Sequence, residues 1–113
     1  MIKPVSSFAS FDQLDIRVGT ILSAEKAASR KPTYRMRIDF GEQIGVKVSC
    51  GAYTNYEVDA LVGRQVVAVI NFGAKKMGPE LSEVLVLGVN SPHGEGTVFL
   101  TPERQVPNGE TVF

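Results

Sequence analysis

Cysteine and histidine occur once each, as Cys50 and His93, in a chain of 113 residues. A lone cysteine excludes an intramolecular disulfide, and its expected role is that of a small buried hydrophobe rather than a reactive thiol. His93 has Glu95 two residues away in a Gly/Pro-rich stretch, but a metal site normally needs three or four ligands, so no metal site is expected. Nor does either residue have a sequence-adjacent partner for acid–base or nucleophilic work. The eleven glycines match neither a Walker loop nor a dinucleotide fingerprint. No enzyme is expected, and no cofactor. Apolar runs are short, none approaching the ~18–20 residues that cross a bilayer, so membrane insertion is not expected. The start, Met1 to Ser7, lacks the apolar stretch of a secretion signal, and a cytoplasmic location is the default expectation.

Net charge is also missing. Twelve acidic and twelve basic side chains sum to zero, which argues against a protein that coats nucleic acid indiscriminately. The charges are nevertheless segregated. Between Glu25 and Asp39 lie Lys26, Arg30, Lys31, Arg35 and Arg37 with no acid among them. After Pro79 come Glu80, Glu83, Glu95, Glu103 and Glu110 against Arg104 alone. A basic patch on a neutral molecule is therefore possible.

What is present is mostly strand. Residues 1–113 suit a single domain with one core. A short helix is expected over Ser7–Leu14, capped by Ser6 or Ser7. It would carry Phe8, Phe11 and Leu14 on one face, to cover the open end of a barrel or a second subunit. Ile16–Ala27 reads as a first strand, and Gly19 in its interior marks a bulge or bend. Thr33–Phe40 alternates cleanly, with Tyr34, Met36, Ile38 and Phe40 inward and Arg35, Arg37 and Asp39 outward. In the third strand Ile44, Val46, Val48 and Cys50 are expected inward, with Lys47 and Ser49 outward. A turn or two of helix links it to the fourth. Gln65–Ile70 and Ser82–Gly88 read as strands buried on both faces. The loop between them, residues 71–80, carries Lys75, Lys76 and Met77. Thr97–Leu100 adds a strand, and Thr111–Phe113 a final edge. The fold class is all-β: an OB-fold five-stranded barrel with additional C-terminal strands.

In that fold, strands two and three with the first and last long loops form the ligand face. Here those pieces hold Arg30, Lys31, Arg35, Arg37, Lys47, Ser49, Lys75, Lys76 and Met77, a concentration of positive charge that fits a polyanion. Asn71 and Ser82, at the strand ends flanking the loop, complete the candidate RNA contacts. Plainer roles compete for each. Lysine pairs are often solvated tips, outward arginines are ordinary on a two-faced strand, and Ser49 or Asn71 can satisfy strand-end backbone groups. Tyr53 and Tyr56 can stack on unpaired bases, but ring packing with an exposed hydroxyl is the preferred reading.

The segments Leu14–Ile21, Ile38–Gly41, Leu61–Val66, Asn71-Phe72 and Ser82–Gly88, with the ending Val106–Gly109, resemble the tRNA-binding domain family. They are most like its stand-alone CsaA branch, described as export-related chaperones. The resemblance runs from about Phe8 onward. It implies an OB-fold homodimer, sealed partly by terminal segments, that binds tRNA or another structured RNA, unfolded polypeptides, or both. The family's basic loop, a proline followed by two basic residues, falls on Ala74-Lys75-Lys76, without the proline. A competing expectation is a chaperone holding unfolded chains in apolar grooves at the dimer seam, with Phe8, Phe11, Phe72 and Met77 as contacts. The same residues suit a core equally well.

Overall fold

A computed structural model describes all 113 residues. Its centre is β1 (Ile16–Lys26), which has two antiparallel neighbours. The first part, Ile16–Thr20, pairs with β4 (Gln65–Val69), and the second, Thr20–Lys26, with β2 (Tyr34–Asp39). One strand can serve two partners because its register shifts between Ile21 and Ser23, where a bulge turns it from one wall of the barrel to the next. Gly19 is expected at that bend, but it sits three residues before Leu22 and does a different job. A Cβ there would lie 2.7 Å from Ile38 Cγ2 and 2.8 Å from the Phe40 ring. Glycine is required because the Ile38 and Phe40 side chains, from the neighbouring β2 and its end, fold over this position.

β2 alternates as its sequence demands. Tyr34, Met36, Ile38 and Phe40 are buried, and Arg35 and Arg37 point outward. β2 pairs in turn with β3 (Val46–Gly51), while β4 pairs with β7 (Leu85–Val86). Chain between Ser82 and Val84 closes the barrel against β3. The Glu83 and Val84 N–H groups both donate to Val48 O, the Val48 N–H donates to the Glu83 carboxylate, and the Cys50 N–H donates to Ser82 Oγ at 3.0 Å. Two side chains thus stand in for ladder carbonyls. The result is an all-β OB-fold, a nearly closed five-stranded barrel. Ile21, Met36, Ile38, Phe40, Leu61 and Val66 fill it. Leu61 comes from α2 (Val58–Leu61), the short link after β3.

Three expectations need correction. Residues opposite each other in an antiparallel pair share a face, and β3 is paired so that Ser49 faces Met36, and Lys47 faces Ile38. Ser49 is therefore inward, only 1% exposed, and Val46, Val48 and Cys50 share the outer face with Arg35 and Arg37. The apolar alternation misled because the outer face of β3 is itself covered toward Cys50 by the chain that closes the barrel, while Val46 at its other end stays exposed. Second, Ser82–Gly88 is not one strand buried on both faces. Ser82, Val84 and Val86 are buried and Leu85 is exposed, and the ladder breaks into β6 (Glu80–Ser82), β7 and β8 (Gly88–Asn90). Third, α1 (Phe8–Asp12) buries no residue, so it does not cap the barrel of its own subunit.

The C-terminal segment lies where β2 does not reach. Gly109 and Val112 N–H groups donate to Val18 O and Ile16 O, and Val18 N–H returns a bond to Glu110 O. Gln65 holds this segment through both ends of its amide, donating to Val106 O and accepting from the Val106 N–H. β9 (Thr97–Phe99) pairs with β8 as a separate hairpin. Tyr53 and Tyr56 pack their rings against Phe99, with centroids 5.2 and 5.0 Å away. No helix is long and apolar enough to cross a membrane.

Candidate nucleic-acid interface

The stretch expected as a loop is a hairpin. β5 (Lys75–Met77) and β6 turn at Gly78-Pro79, and Gly78 adopts φ +60°, a left-handed conformation that glycine takes without steric penalty. The register places Lys75, Met77, Glu80 and Ser82 on one face and Lys76 with Leu81 on the other. Adjacent lysines on a strand cannot point the same way. Both still border the same space, a cavity of about 1010 Å³ between the hairpin and the Ala28–Thr33 bend. Arg30 and Lys31 line it from the bend, Lys75 and Lys76 from the hairpin, and Gly51 and Ala52 from the end of β3. The chain's ion pairs involve only Arg17, Arg35 and Arg104, which leaves these four cations unneutralised.

Arg35 is different. Its guanidinium donates to both carboxylate oxygens of Glu80, at 2.6 and 2.9 Å, and to Glu25 at 2.7 Å. Glu80 also accepts from the Ala28 N–H at 3.2 Å. With its side chain 11% exposed, Glu80 joins the tip of the hairpin to the bend opposite, through Arg35 between them. The hydrogen bonds to Glu25 and Glu80 raise the Arg35 pKa further above its ordinary value. The Arg35 hydrogen bond, then the Ala28 N–H, lower that of Glu80. The acid next to the lysines is therefore already matched. Sequence reasoning had no signal for this clamp, because Glu80 and Arg35 are 45 residues apart.

The other expected site residues separate. Arg37 is exposed on the outer face beyond Arg35. Lys47 is half-buried at the far end of β3, on the opposite face, three residues or ~10 Å from Cys50. Ser82 Oγ accepts from Cys50 and donates to Val84 O at 3.2 Å, so its hydroxyl holds the barrel shut. Ser49 Oγ shares a hydrogen bond of 2.9 Å with the Tyr53 hydroxyl. Asn71 is spent on the junction between α1 and β1, accepting from Asp15 N–H at 2.8 Å and donating to Gln13 O at 2.9 Å. Its strand-end position is explained by that backbone role. Burial, with the nearby Glu80 charge, pushes the Cys50 thiol above its ordinary pKa, as suits an inert packing residue.

A second cavity of about 350 Å³ lies under the hairpin. Phe72, Met77, Val84 and Leu85 give it apolar walls, and Lys75 stands at its edge. Phe72 is thus beside Lys75 and Met77, whereas Phe8 and Phe11 pair with each other on α1, ring centroids 6.2 Å apart.

Comparison with known proteins identifies the family of the barrel. The sequence model of the family described as "Putative tRNA binding domain" matches residues 16–111. Methionine--tRNA ligases of Methanococcoides burtonii and Methanopyrus kandleri are 31% and 36% identical, over 97% and 94% of this chain. The chain spans only 16% of the length of either. Crystal structures of the chaperone CsaA from Bacillus anthracis and Picrophilus torridus superpose with TM-scores of 0.89 and 0.88 at 38% and 37% identity. Coverage is 97% and 96% of this chain and 100% of each of those chains. The match to nearly the whole barrel places this chain in the tRNA-binding domain family.

Proposed function

We propose that this chain is a non-catalytic cytoplasmic module that docks tRNA, or another structured RNA, by its phosphate backbone in the cleft between the bend and the hairpin. The observation that carries the proposal is the convergence of Arg30, Lys31, Lys75 and Lys76 on one cavity, with no acid paired to any of them. Cations left unpaired around a concave surface release counterions when phosphates replace them. Arg35, locked to two carboxylates, shapes the cleft rather than contacting phosphate. Arg37 extends the positive surface along β2, and Lys47 lies apart from the cleft.

A homodimer is part of the same proposal. α1 holds Phe8 77% exposed and buries none of its own residues, the condition of an apolar face awaiting a partner. Two clefts on one dimer would let a molecule of zero net charge engage one RNA twice. The exposed apolar residues also favour a second reading. Unfolded polypeptides would bind the dimer seam around Phe8 and Phe11, in keeping with the neighbours described as chaperones.

Titration of labelled tRNA at low and high salt, with wild type and with the Lys75→Ala, Lys76→Ala double variant, tests the docking. Affinity is expected to fall steeply with salt in the wild type and less steeply in the variant. Peptide binding at apolar grooves would respond weakly to salt.

A further inference from the structure

We propose that the smaller cavity, beneath the hairpin, receives one unstacked nucleobase of the docked RNA. The proposal rests on the docking reading above and deepens it. Lys75 and Met77 line both cavities, so the small apolar one opens beside the large basic one, separated only by β5. A ligand that fits both must carry an anionic group next to a flat apolar part, and every nucleotide is built that way. Phe72, 59% exposed, offers a ring at the rim. Met77 and Leu85 supply adaptable apolar surface, and Lys75 stands where the adjoining phosphate would lie. At about 350 Å³ the cavity is at the small end of ligand sites, too small for a duplex.

The lining also indicates how the base is held. Ser49 and Tyr53 hydroxyls bond each other, and Ser82 Oγ is engaged twice. No buried side-chain polar atom in the chain is left unpartnered. Each buried hydroxyl of the lining thus already has a partner, and stacking and apolar contact are the main means left for holding a base. The pocket binds through these contacts, which every base can supply, and accepts all four bases with modest preference.

The test compares a blunt RNA duplex with the same duplex bearing a short single-stranded overhang that contains 2-aminopurine. The chain has no tryptophan, so the fluorescence of that base reads against a quiet background. Wild type is expected to quench the probe and to bind the overhang duplex more tightly than the blunt one. Phe72→Ala, at an exposed position that leaves the core intact, is expected to remove the quenching. It should also weaken overhang binding by about 5- to 100-fold, with blunt-duplex affinity and the salt slope unchanged. Phe72→Tyr, which keeps a ring, should restore both signals. If Phe72→Ala changes neither RNA while Lys75→Ala with Lys76→Ala weakens both, the base pocket is wrong and the docking stands. If wild type binds neither RNA, both readings fall. Loss of unfolded-polypeptide binding alone in Phe72→Ala would assign the pocket to peptides and overturn the proposal.

Discussion

Gly19 and Glu80 show how single residues set the geometry of the whole site. At Gly19 the Ile38 and Phe40 side chains, from the neighbouring strand, lie so close that a methyl group would overlap them. Gly19→Ala is expected to destabilise the fold by about 1–3 kcal/mol, the usual result of overpacking a core, read as a lower urea midpoint. An unchanged midpoint would mean that the Ile38 and Phe40 side chains shift aside freely. Glu80 acts through charge. Its pKa is lowered in the folded chain by Arg35 and the Ala28 N–H, so between the folded and unfolded values the unfolded chain binds more protons. The clamp's contribution is thus complete above the ordinary carboxylate range and is lost as pH falls through the lowered folded value. Glu80→Gln should flatten the acid limb of a stability-against-pH curve. Superimposable acid limbs for variant and wild type would contradict the clamp.

Elements repeat the lesson that strands are legible where one face is wet. β2 could be read residue by residue because its outer face, at Arg35 and Arg37, meets solvent or ions. β3 could not, since Val48 and Cys50 on its outer face are covered by residues 80–84, and the inner Ser49 is made acceptable by Tyr53. A period of two reports which residues alternate, and only the contacts decide which set is inside. Asn71 and Ser82 misled for a related reason. Both sit at strand ends flanking the hairpin turn, and both bond a backbone group tens of residues away, Ser82 also donating to Val84 O two residues on. The hairpin itself hid behind Gly78-Pro79, which reads as loop composition yet forms a tight turn between two short strands. The α1 helix was expected as a short segment, and of the two surfaces expected for its Phe8 and Phe11 face, the barrel of this chain is not the one it covers. With that apolar face as part of a dimer seam, Phe8→Ser together with Phe11→Ser should yield monomers by sedimentation. The barrel should stay folded, because α1 buries none of its residues. A variant that remains dimeric would move the seam elsewhere.

At the scale of the molecule, neutrality and the proposed RNA binding are reconciled by position. Five of the twelve acids follow Pro79 and the rest are scattered over the chain before it, and Glu80, at the tip of the basic hairpin, is bound to Arg35. The cleft keeps four cations, Arg30, Lys31, Lys75 and Lys76, on two segments held at a fixed separation by that clamp. Segregation of charge along the sequence was visible from the start, as was the OB barrel that brings the two basic stretches together. The separation of Lys47 from the other cations was not visible, since it depends on the register of β3.

The most direct test of this account is the slope of log affinity against log salt for tRNA, measured by fluorescence anisotropy in wild type and in the Lys75→Ala, Lys76→Ala variant. The account predicts a steep wild-type slope that the double substitution reduces by roughly two, one for each phosphate contact removed. Equal slopes and equal affinities would contradict it, and would take the cleft between the bend and the hairpin out of RNA recognition.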